Sequence, residues 1–258
     1  GKPFDERAAY PELHHAPFYS LVVAGALRLL PAAARASLFS EVPTPPDGFR
    51  ADYFLLGLNV ALLWLCAWLT FLVARRLFDA HAAWAATLAL LVSVGVWQQT
   101  VVANGSVLLI TLAVLTFWIW VRVDDDAVVG TRAHSGWFAA LGATCGLLFL
   151  TEYSAGALIL LALAYGLFRF RQATRLRALG LMLLGFGLVA APWLTRNIRL
   201  TGHPMALASE NIALKFGDPT AEPSSQRNGF SVTPVQIDLR KLANKALTRT
   251  QESLQEHL

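Results

Sequence analysis

Charged residues are scarce in this sequence. Asp, Glu, Lys and Arg together make up 15% of the 258 residues, while hydrophobic residues make up 55% and the mean hydropathy is +0.49. A soluble domain carries about 25% charged residues, which cover much of its surface. The composition therefore excludes an ordinary soluble domain and predicts an all-α protein whose helices lie in lipid.

Cysteine is scarce as well. The sequence contains Cys66 and Cys145, which form neither a CxxC pair nor a framework of closely spaced disulfides. Both fall inside apolar stretches, so we expect them to be packing residues.

Long apolar runs are what the sequence has in abundance. At about 1.5 Å per helical residue, each run crosses most or all of a hydrocarbon core of about 30 Å, and tryptophans near their ends suit the membrane interface. The six runs are Tyr53–Val73, Ala80–Val96, Val107–Val121, Gly136–Leu150, Ser154–Phe168 and Ala178–Leu194. They predict a polytopic bundle of six transmembrane helices over residues 51–195, between end segments at residues 1–50 and 196–258.

Basic residues fall in alternate connections between these runs. Connections 98–106 and 151–153 contain no Lys or Arg, whereas the other three contain Arg75, Arg76, Arg122, Arg132, Arg169, Arg171, Arg175 and Arg177. Because short basic loops stay in the cytoplasm, these arginine loops are predicted to be cytoplasmic and both end segments external. The arginine loops account for much of the positive charge, so the net charge of +4 does not indicate nucleic-acid binding.

Two further helices are predicted to lie in the external interface. The apolar stretch 17–30 is short for a span, and a crossing there would move every later arginine loop outside. Pro17 suits its first turn, and Arg28 suits contact with headgroups. Residues 237–258 place apolar side chains on one helical face and basic side chains around the rest. The sequence begins at Gly1 and stops within a helical pattern, so we expect further helices before and after it.

Several short motifs follow one another in a fixed order along the chain. They are Asp5-Glu6, His14-His15-Ala16-Pro17-Phe18-Tyr19-Ser20, Arg50 at the first span, Arg75-Arg76-Leu77-Phe78 at its end, and Pro192-Trp193, Arg196-Asn197 and Gly202-His203-Pro204 after the last span. In this order they resemble the integral-membrane glycosyltransferases of the GT-C superfold, of the protein O-mannosyltransferase and aminoarabinose (lipid A) transferase type. The resemblance covers nearly the whole chain.

The resemblance implies an enzyme that moves a sugar from a polyprenyl-phosphate donor to a hydroxyl of a lipid or protein acceptor, with inversion at the anomeric carbon. Such an enzyme would lie in a bacterial inner membrane with its catalytic face outside. The implied catalytic residues are Asp5 and Glu6, because a carboxylate can take the proton of the acceptor hydroxyl. The implied substrate-binding residues are His14, His15, Arg50, Asn104, Glu152, Arg196 and Arg199. We expect no resident cofactor and no metal, and these residues give no support to the alternative of a divalent cation.

These residues also have structural interpretations. Arg196 and Arg199 either clamp the donor phosphate or anchor the helix among headgroups, and Arg50 suits an interface anchor. An acidic pair near a chain end is commonly solvated charge. Two adjacent histidines point about 100° apart on a helix, which disfavours one metal ion between them.

Two positions depart from the pattern of the family. Asn104 stands where relatives often carry a second acidic residue, and Glu152 stands where they commonly carry a lysine that would touch the donor phosphate. Phosphate binding would therefore rest on the arginines.

Two other function classes are open. A transporter or flippase is disfavoured because the sequence indicates no internal repeat, no helix pair broken at Gly or Pro and no charge at mid-membrane. A non-catalytic scaffold or degenerate transferase is favoured by Asn104 in place of an acid.

Overall fold

The computed structural model describes residues 16–39, 49–102, 104–129, 135–170, 172–202 and 204–205. The chain divides into two compact units, which are described separately: residues 16–190, and the residues from 191 onwards. The described residues form α-helices and a 3-10 helix, with no strand among them, which confirms the predicted all-α class.

The helices follow the predicted order. The first is α1 (Phe18–Arg28), and the others are α2 (Ala32–Leu38), α3 (Arg50–Leu77), α4 (Ala80–Val92), α5 (Val94–Val101), α6 (Ser106–Val129), α7 (Ser135–Thr151), a 3-10 helix (Tyr153–Ala157), α8 (Leu158–Arg169) and α9 (Gln172–Thr201). The predicted interfacial helix over residues 17–30 is thus α1, which ends before Pro31. The predicted C-terminal helix over residues 237–258 lies outside the described residues.

Three helical stretches are long and apolar enough to cross a membrane, namely Arg50–Leu77, Ser106–Asp124 and Arg175–Thr201. The bent pair of α4 and α5 passes the same test as a fourth span. These coincide with four of the six predicted spans. The other two, Gly136–Leu150 and Ser154–Phe168, are helical and apolar but lie in helices of fewer than 18 residues.

The second predicted span is broken rather than straight. Residues 80–96 were expected to form one helix, but α4 and α5 meet at Ser93 with a bend of 53°, and α5 continues to Val101. Trp97 Nε1 donates to the carbonyl oxygen of Leu91 at 2.6 Å, which satisfies a carbonyl near the break. The break is at Ser93 rather than at a Gly or Pro, so it is of a kind that the prediction did not consider. The prediction of a turn beginning at residue 98 is wrong, because α5 continues to Val101.

Side-chain and backbone caps fix several helix ends. Asp52 Oδ2 accepts a hydrogen bond from the Phe49 N–H at 3.2 Å, at the start of α3. Asp79 Oδ1 accepts one from the Ala82 N–H at 2.8 Å, at the start of α4. α9 ends at Thr201, and the following Gly202 has a φ of 76°, the left-handed conformation that terminates helices.

Hydroxyl groups within the apolar helices are paired. Thr87 Oγ1 donates to the Ala83 carbonyl, and Thr116 Oγ1 to the Leu112 carbonyl, both at 2.8 Å. Such bonds to the preceding turn satisfy a hydroxyl where water is absent. Thr111 Oγ1 donates to Val107 O of its own helix at 2.7 Å and shares this proton with Leu62 O of α3 at 3.2 Å, so α3 and α6 make a polar contact as well as packing together.

Large apolar side chains cover the outer surface of the 16–190 unit. Trp64, Trp68 and Trp84 are 63%, 59% and 59% exposed. A surface of this kind is costly in water but suits hydrocarbon, in agreement with a membrane protein. The two cysteines are buried, at 1% for Cys66 and 0% for Cys145, which confirms that they are packing residues.

Contacts between helices place alternate connections at opposite ends of this unit. At one end, Asn59 of α3 bonds to the backbone at the C-terminal end of α5. At the other end, Asp124 of α6 bonds to side chains of α8. We call the first the predicted external end and the second the predicted cytoplasmic end, because the arginine loops belong to the second.

The larger buried core lies toward the predicted cytoplasmic end, between α6, α7, α8 and α9. Its members include Ile119, Val123, Phe138, Leu141, Cys145, Ala162 and Met182. A smaller cluster of Leu108, Leu112 and Leu148 lies toward the predicted external end, and α1 packs on it through Phe18, Tyr19 and Val22. The predicted interfacial helix is therefore attached to the bundle by apolar contacts.

Candidate functional site

Three segments distant in sequence meet at the predicted external end. A Cβ added to Gly105 would lie 3.3 Å from Tyr19 Cβ of α1 and 3.6 Å from Thr151 Cγ2 at the end of α7. Gly105 thus permits the close approach of the α5–α6 turn to both helices. Asn104 and Glu152, each next to one of these contact residues in sequence, are brought to the same region.

A buried polar contact holds this end together. Asn59 is 1% exposed, and its Nδ2 donates to the carbonyl oxygens of Thr100 and Val102, both at 3.1 Å. These carbonyls are at the C-terminal end of α5, where a helix has no partners of its own. The Tyr19 hydroxyl donates to Asn59 Oδ1 at 3.3 Å. Burial raises the pKa of the Tyr19 hydroxyl, which keeps it protonated as the donor.

Asn104, predicted to bind substrate, caps the following helix. Its Oδ1 accepts a hydrogen bond from the Ser106 N–H at 3.0 Å, at the start of α6. Its Nδ2 donates to Gln99 Oε1 at 3.2 Å. The amide therefore has a structural role in the turn, and any contact with substrate must use its remaining hydrogen-bonding capacity.

Glu152 presents a carboxylate at the same end. Its side chain is exposed, and the Ser154 hydroxyl lies 3.5 Å from Oε1, at the limit of a hydrogen bond. The backbone of Glu152 links α7 to the 3-10 helix, since its N–H donates to Leu148 O at 2.9 Å and its carbonyl accepts from the Ala155 N–H at 3.0 Å. The backbone position is fixed, while the carboxylate is accessible.

The other predicted residues of the first 50 are less defined by the structure. Arg50 is exposed and is the first residue of α3, as expected for an arginine entering a span. The predicted catalytic pair Asp5 and Glu6, with His14 and His15, lies outside the described residues.

In the second unit, the predicted phosphate-binding Arg196 is held in a fixed orientation. Its guanidinium carbon lies 4.4 Å from the centroid of the Trp193 ring, and its Nη1 donates to Asn197 Oδ1 at 3.2 Å. Asn197 is fully buried, and its Nδ2 donates to Pro204 O at 3.1 Å. A planar cation oriented on two sides suits bidentate recognition of an anion.

Arg199 differs from Arg196 in its surroundings. It lies in the last turn of α9 and is exposed. A basic residue at this place also complements the negative end of the helix dipole. The structure therefore gives Arg196 the more organised environment of the two predicted phosphate ligands.

Metal binding has no support in the described part of the chain. No group of three or more His, Cys, Asp or Glu side chains lies close enough together there to hold an ion. The chemistry available at the predicted external end of the 16–190 unit is that of the Glu152 carboxylate, the Asn104 amide and the exposed Arg50 guanidinium.

Sequence analysis missed Asn59 and the bonds it makes. Asn59 is a polar residue inside an apolar run, Leu58-Asn59-Val60, and such a residue usually has a specific partner in the membrane. A single polar residue within an apolar run was therefore the feature of the sequence that could have indicated a buried hydrogen bond. Its partners could not be identified from the sequence.

A second polar group was missed at the predicted cytoplasmic end. Arg169 Nε donates to Asp124 Oδ1 at 2.8 Å, and the Tyr165 hydroxyl donates to the same oxygen. Both charged side chains are close to half exposed. The group joins the end of α8 to α6 and is remote from the candidate site.

Comparisons with protein family models, curated proteins and solved structures found no match to this chain.

Proposed function

We propose that the chain is a membrane glycosyltransferase. It moves a sugar from a polyprenyl-phosphate donor to an acceptor hydroxyl at the predicted external end, with inversion at the anomeric carbon. All six apolar helices cross the membrane in this proposal, and the membrane is a bacterial inner membrane. The ordered motifs that resemble the GT-C transferases are its starting point.

One structural observation carries the proposal furthest. Helix α1, which is predicted to be interfacial, meets the α5–α6 turn and the end of α7 around Gly105, at the end of the unit that is free of arginine loops. A transferase that uses a lipid-linked donor needs such a surface, because its donor phosphate and acceptor meet at the depth of the headgroups. Glu152 contributes an accessible carboxylate there.

The roles of the residues follow from the chemistry of the reaction. An acceptor hydroxyl has too high a pKa to attack unaided, so Asp5 takes its proton as the new bond forms. The leaving group is a lipid phosphate that already carries negative charge, and it needs cations rather than an acid. Arg196, oriented by Trp193 and Asn197, stabilises that phosphate, and Arg199 adds positive charge beside it.

A transfer assay tests this function. Purified protein in detergent is given polyprenyl-phosphate hexoses and pentoses with a radiolabelled sugar, and a membrane extract supplies acceptors. Release of free polyprenyl phosphate together with labelled acceptor is the expected result. No release with any donor, from protein that binds polyprenyl phosphate, would reject the transferase.

A flippase is the second candidate, and the bent pair of α4 and α5 favours it. Broken helices in membranes often line substrate pathways, and the bend of 53° at Ser93 is of this kind. The two functions give different results in detergent, where there are no separate compartments between which a lipid could be moved. A transferase cleaves the donor there, whereas a flippase leaves it intact and moves it only between the leaflets of a liposome.

A further inference from the structure

The half-helix α5 buries little of its surface. Thr100 is the one buried residue of Val94–Val101, and its hydroxyl donates to Val96 O of the same helix at 2.8 Å. Apolar side chains such as Trp97 are exposed. In a membrane these side chains meet lipid whether or not α5 lies beside α3, so apolar burial gives docking little driving force. The position of α5 therefore depends on its polar contacts.

Asn59 of α3 supplies the polar contacts between these two helices. Within the described part of the chain, the hydrogen bonds that join α3 to the end of α5 are those from Asn59 Nδ2 to Thr100 O and Val102 O, both at 3.1 Å. One side-chain amide thus satisfies two carbonyls that have no partner within their own helix. The C-terminal end of α5 is held to α3 by the orientation of that amide.

The other end of α5 meets α4 at a single residue. Ser93 has a φ of −65° and a ψ of 113°, which lies outside the helical region. Residues of this kind, at the ends of helices, absorb the change of angle in hinge motions. Trp97 Nε1 bonds to Leu91 O across the bend, so it joins α5 to α4 but not to α3. Ser93 is therefore the hinge about which α5 turns if its far end is released.

Tyr19 of α1 fixes the orientation of the Asn59 amide. Its hydroxyl donates to Oδ1 at 3.3 Å, so Oδ1 faces α1 and Nδ2 faces the carbonyls of α5. A reversed amide would present an oxygen to those carbonyls, which are acceptors only. A Cβ added to Gly105, in the turn after α5, would also lie 3.3 Å from Tyr19 Cβ. α1 therefore acts on the end of α5 through a hydrogen bond and through direct contact.

Helix α1 is itself loosely attached on the side of α3. It packs on the bundle through Phe18, Tyr19 and Val22, but none of its described residues Phe18–Arg28 is buried. An open cavity of about 360 Å³ lies between α1 and α3. It is lined by Tyr19, Ser20, Val23, Ala24, Leu27 and Leu55. Because a gap provides no dispersion contacts, α1 separates from α3 at a lower cost than a closely packed helix would.

We propose that α1 is a latch that fastens the half-helix α5 to α3 through Tyr19 and Asn59. While α1 is docked, Tyr19 holds the Asn59 amide in the orientation that binds both carbonyls of α5. When α1 leaves the bundle, the amide is free to turn, and α5 separates from α3 by rotation at Ser93. Tyr19 and Asn59 have no assigned contact with substrate, so the latch does not rest on the proposed function.

Hydrogen exchange of the chain in detergent micelles tests the latch. Mass spectrometry follows the backbone amides of α5, with those of α6 as the reference, because amides in an element that opens locally exchange faster. Tyr19→Phe should raise the exchange rate of α5 about 2- to 3-fold, the factor for one side-chain hydrogen bond in a membrane. Asn59→Leu removes both bonds to α5 and should raise it roughly 5- to 150-fold. The rate of α6 should stay at its wild-type value.

Matched variants separate the latch from general effects. Tyr19→Phe should add nothing in the Asn59→Leu background, because Tyr19 acts through Asn59. Phe18→Ala weakens the docking of α1 and should raise the exchange rate of α5, whereas Leu21→Ala, at a position of α1 that is 59% exposed, should not. Thr87→Val removes a hydroxyl that bonds within α4 and should also leave α5 at the wild-type rate.

Three results would overturn the latch. The first is a wild-type exchange rate of α5 in either Tyr19→Phe or Phe18→Ala. The second is an equal rise in α6, which would show general loosening. The third is an undiminished effect of Tyr19→Phe in the Asn59→Leu background. If Asn59→Leu does not fold, the comparison of Tyr19→Phe and Phe18→Ala with Leu21→Ala decides, because all three leave Asn59 in place.

Discussion

Gly142 of α7 lies directly against the backbone of Met182 in α9. A Cβ added to Gly142 would be 1.9 Å from the Met182 carbonyl oxygen, and one added to Gly185 of α9 would be 2.1 Å from the carbonyl oxygen of Ala139. The two helices therefore approach with no side chain between their backbones at these points. Small residues at such contacts are the usual means of close helix packing in membranes.

The first prediction concerns this contact. Gly142→Ala and Gly185→Ala should each lower the free energy of unfolding by about 1–3 kcal/mol, because a backbone atom cannot move aside as a side chain can. Gly187→Ala is the matched control, since a Cβ there meets nothing within 4 Å. It should be neutral or stabilising by up to about 1 kcal/mol. Unfolding by SDS in mixed micelles measures all three, and equal effects at Gly185 and Gly187 would contradict the packing.

The second prediction concerns Asn59. Asn59→Leu removes the donors to Thr100 O and Val102 O and should lower the free energy of unfolding by about 1–3 kcal/mol, the cost of buried unsatisfied groups. Tyr19→Phe removes one long hydrogen bond and should cost about 0.5 kcal/mol. Thr87→Val is the control, because the Thr87 hydroxyl bonds within its own helix. If Asn59→Leu lowers the free energy of unfolding no more than Thr87→Val does, the hydrogen bonds from Asn59 to α5 do not stabilise the protein.

The third prediction concerns topology. Ser154→Cys should react with a membrane-impermeant maleimide from outside, and Ala80→Cys only from inside, because the arginine loops determine orientation. Both positions are exposed. The native cysteines are buried, so the wild-type protein should give little background labelling. Labelling of Ala80→Cys from outside would invert the topology and move the candidate site to the cytoplasm.

The fourth prediction concerns the catalytic base. Asp5→Asn keeps the size of the side chain but loses its basicity, so turnover should fall by about 10²–10⁴-fold. Donor binding should hardly change, because the residue acts on the acceptor. Both are measured in the transfer assay, and Glu6→Gln is assayed beside it to compare the two carboxylates of the predicted pair. Turnover above about a third of wild type, where that much larger loss is expected, would remove Asp5 from the mechanism and direct attention to Glu6 or Glu152.

The fifth prediction concerns the donor phosphate. Arg196→Ala should weaken the binding of polyprenyl phosphate by about 1.5–3 kcal/mol, the value of a charge-assisted hydrogen bond. Arg196→Lys should recover part of this loss, because an ammonium keeps the charge but not the planar stack on Trp193. Arg199→Ala should have the smaller effect. Binding is measured by titration with polyprenyl phosphate. If Arg199→Ala weakens binding more than Arg196→Ala does, Arg196 is a membrane-interface anchor and not the phosphate ligand.

Much of the helical pattern was predictable from the sequence because it is local. The predicted span Tyr53–Val73 lies within α3, and Val107–Val121 lies within α6. Hydropathy identifies such helices because an apolar run in lipid must satisfy its backbone internally. The bounds differ by a few residues where polar caps, such as Asp52, extend a helix past its apolar run.

The break at Ser93 was not predictable in the same way. The residues around it, Leu90 to Val96, are apolar on both sides, so the pattern suggests one continuous helix. The second half-helix is held by Asn59, which is 41 residues from Thr100 in sequence. Local periodicity carries no information about such a partner.

The candidate site was predictable only in part. The order of the predicted spans places Asn104 and Glu152 at the same end of the bundle. The structure agrees, because their neighbours Gly105 and Thr151 are close to each other. The side-chain partners of Asn104 depend on the exact turn and were missed. The orientation of Arg196 likewise depends on Trp193 and Asn197, which the motif contains without specifying their geometry.

The bonds of Asn59 also bear on the order in which the chain enters the membrane. α3 is synthesised before α5. The side-chain amide of Asn59 therefore has neither acceptor until the residues 41 and 43 positions downstream have been made. An amide without partners in hydrocarbon costs several kcal/mol. Until α5 reaches the membrane, α3 therefore carries a side-chain amide without these two acceptors.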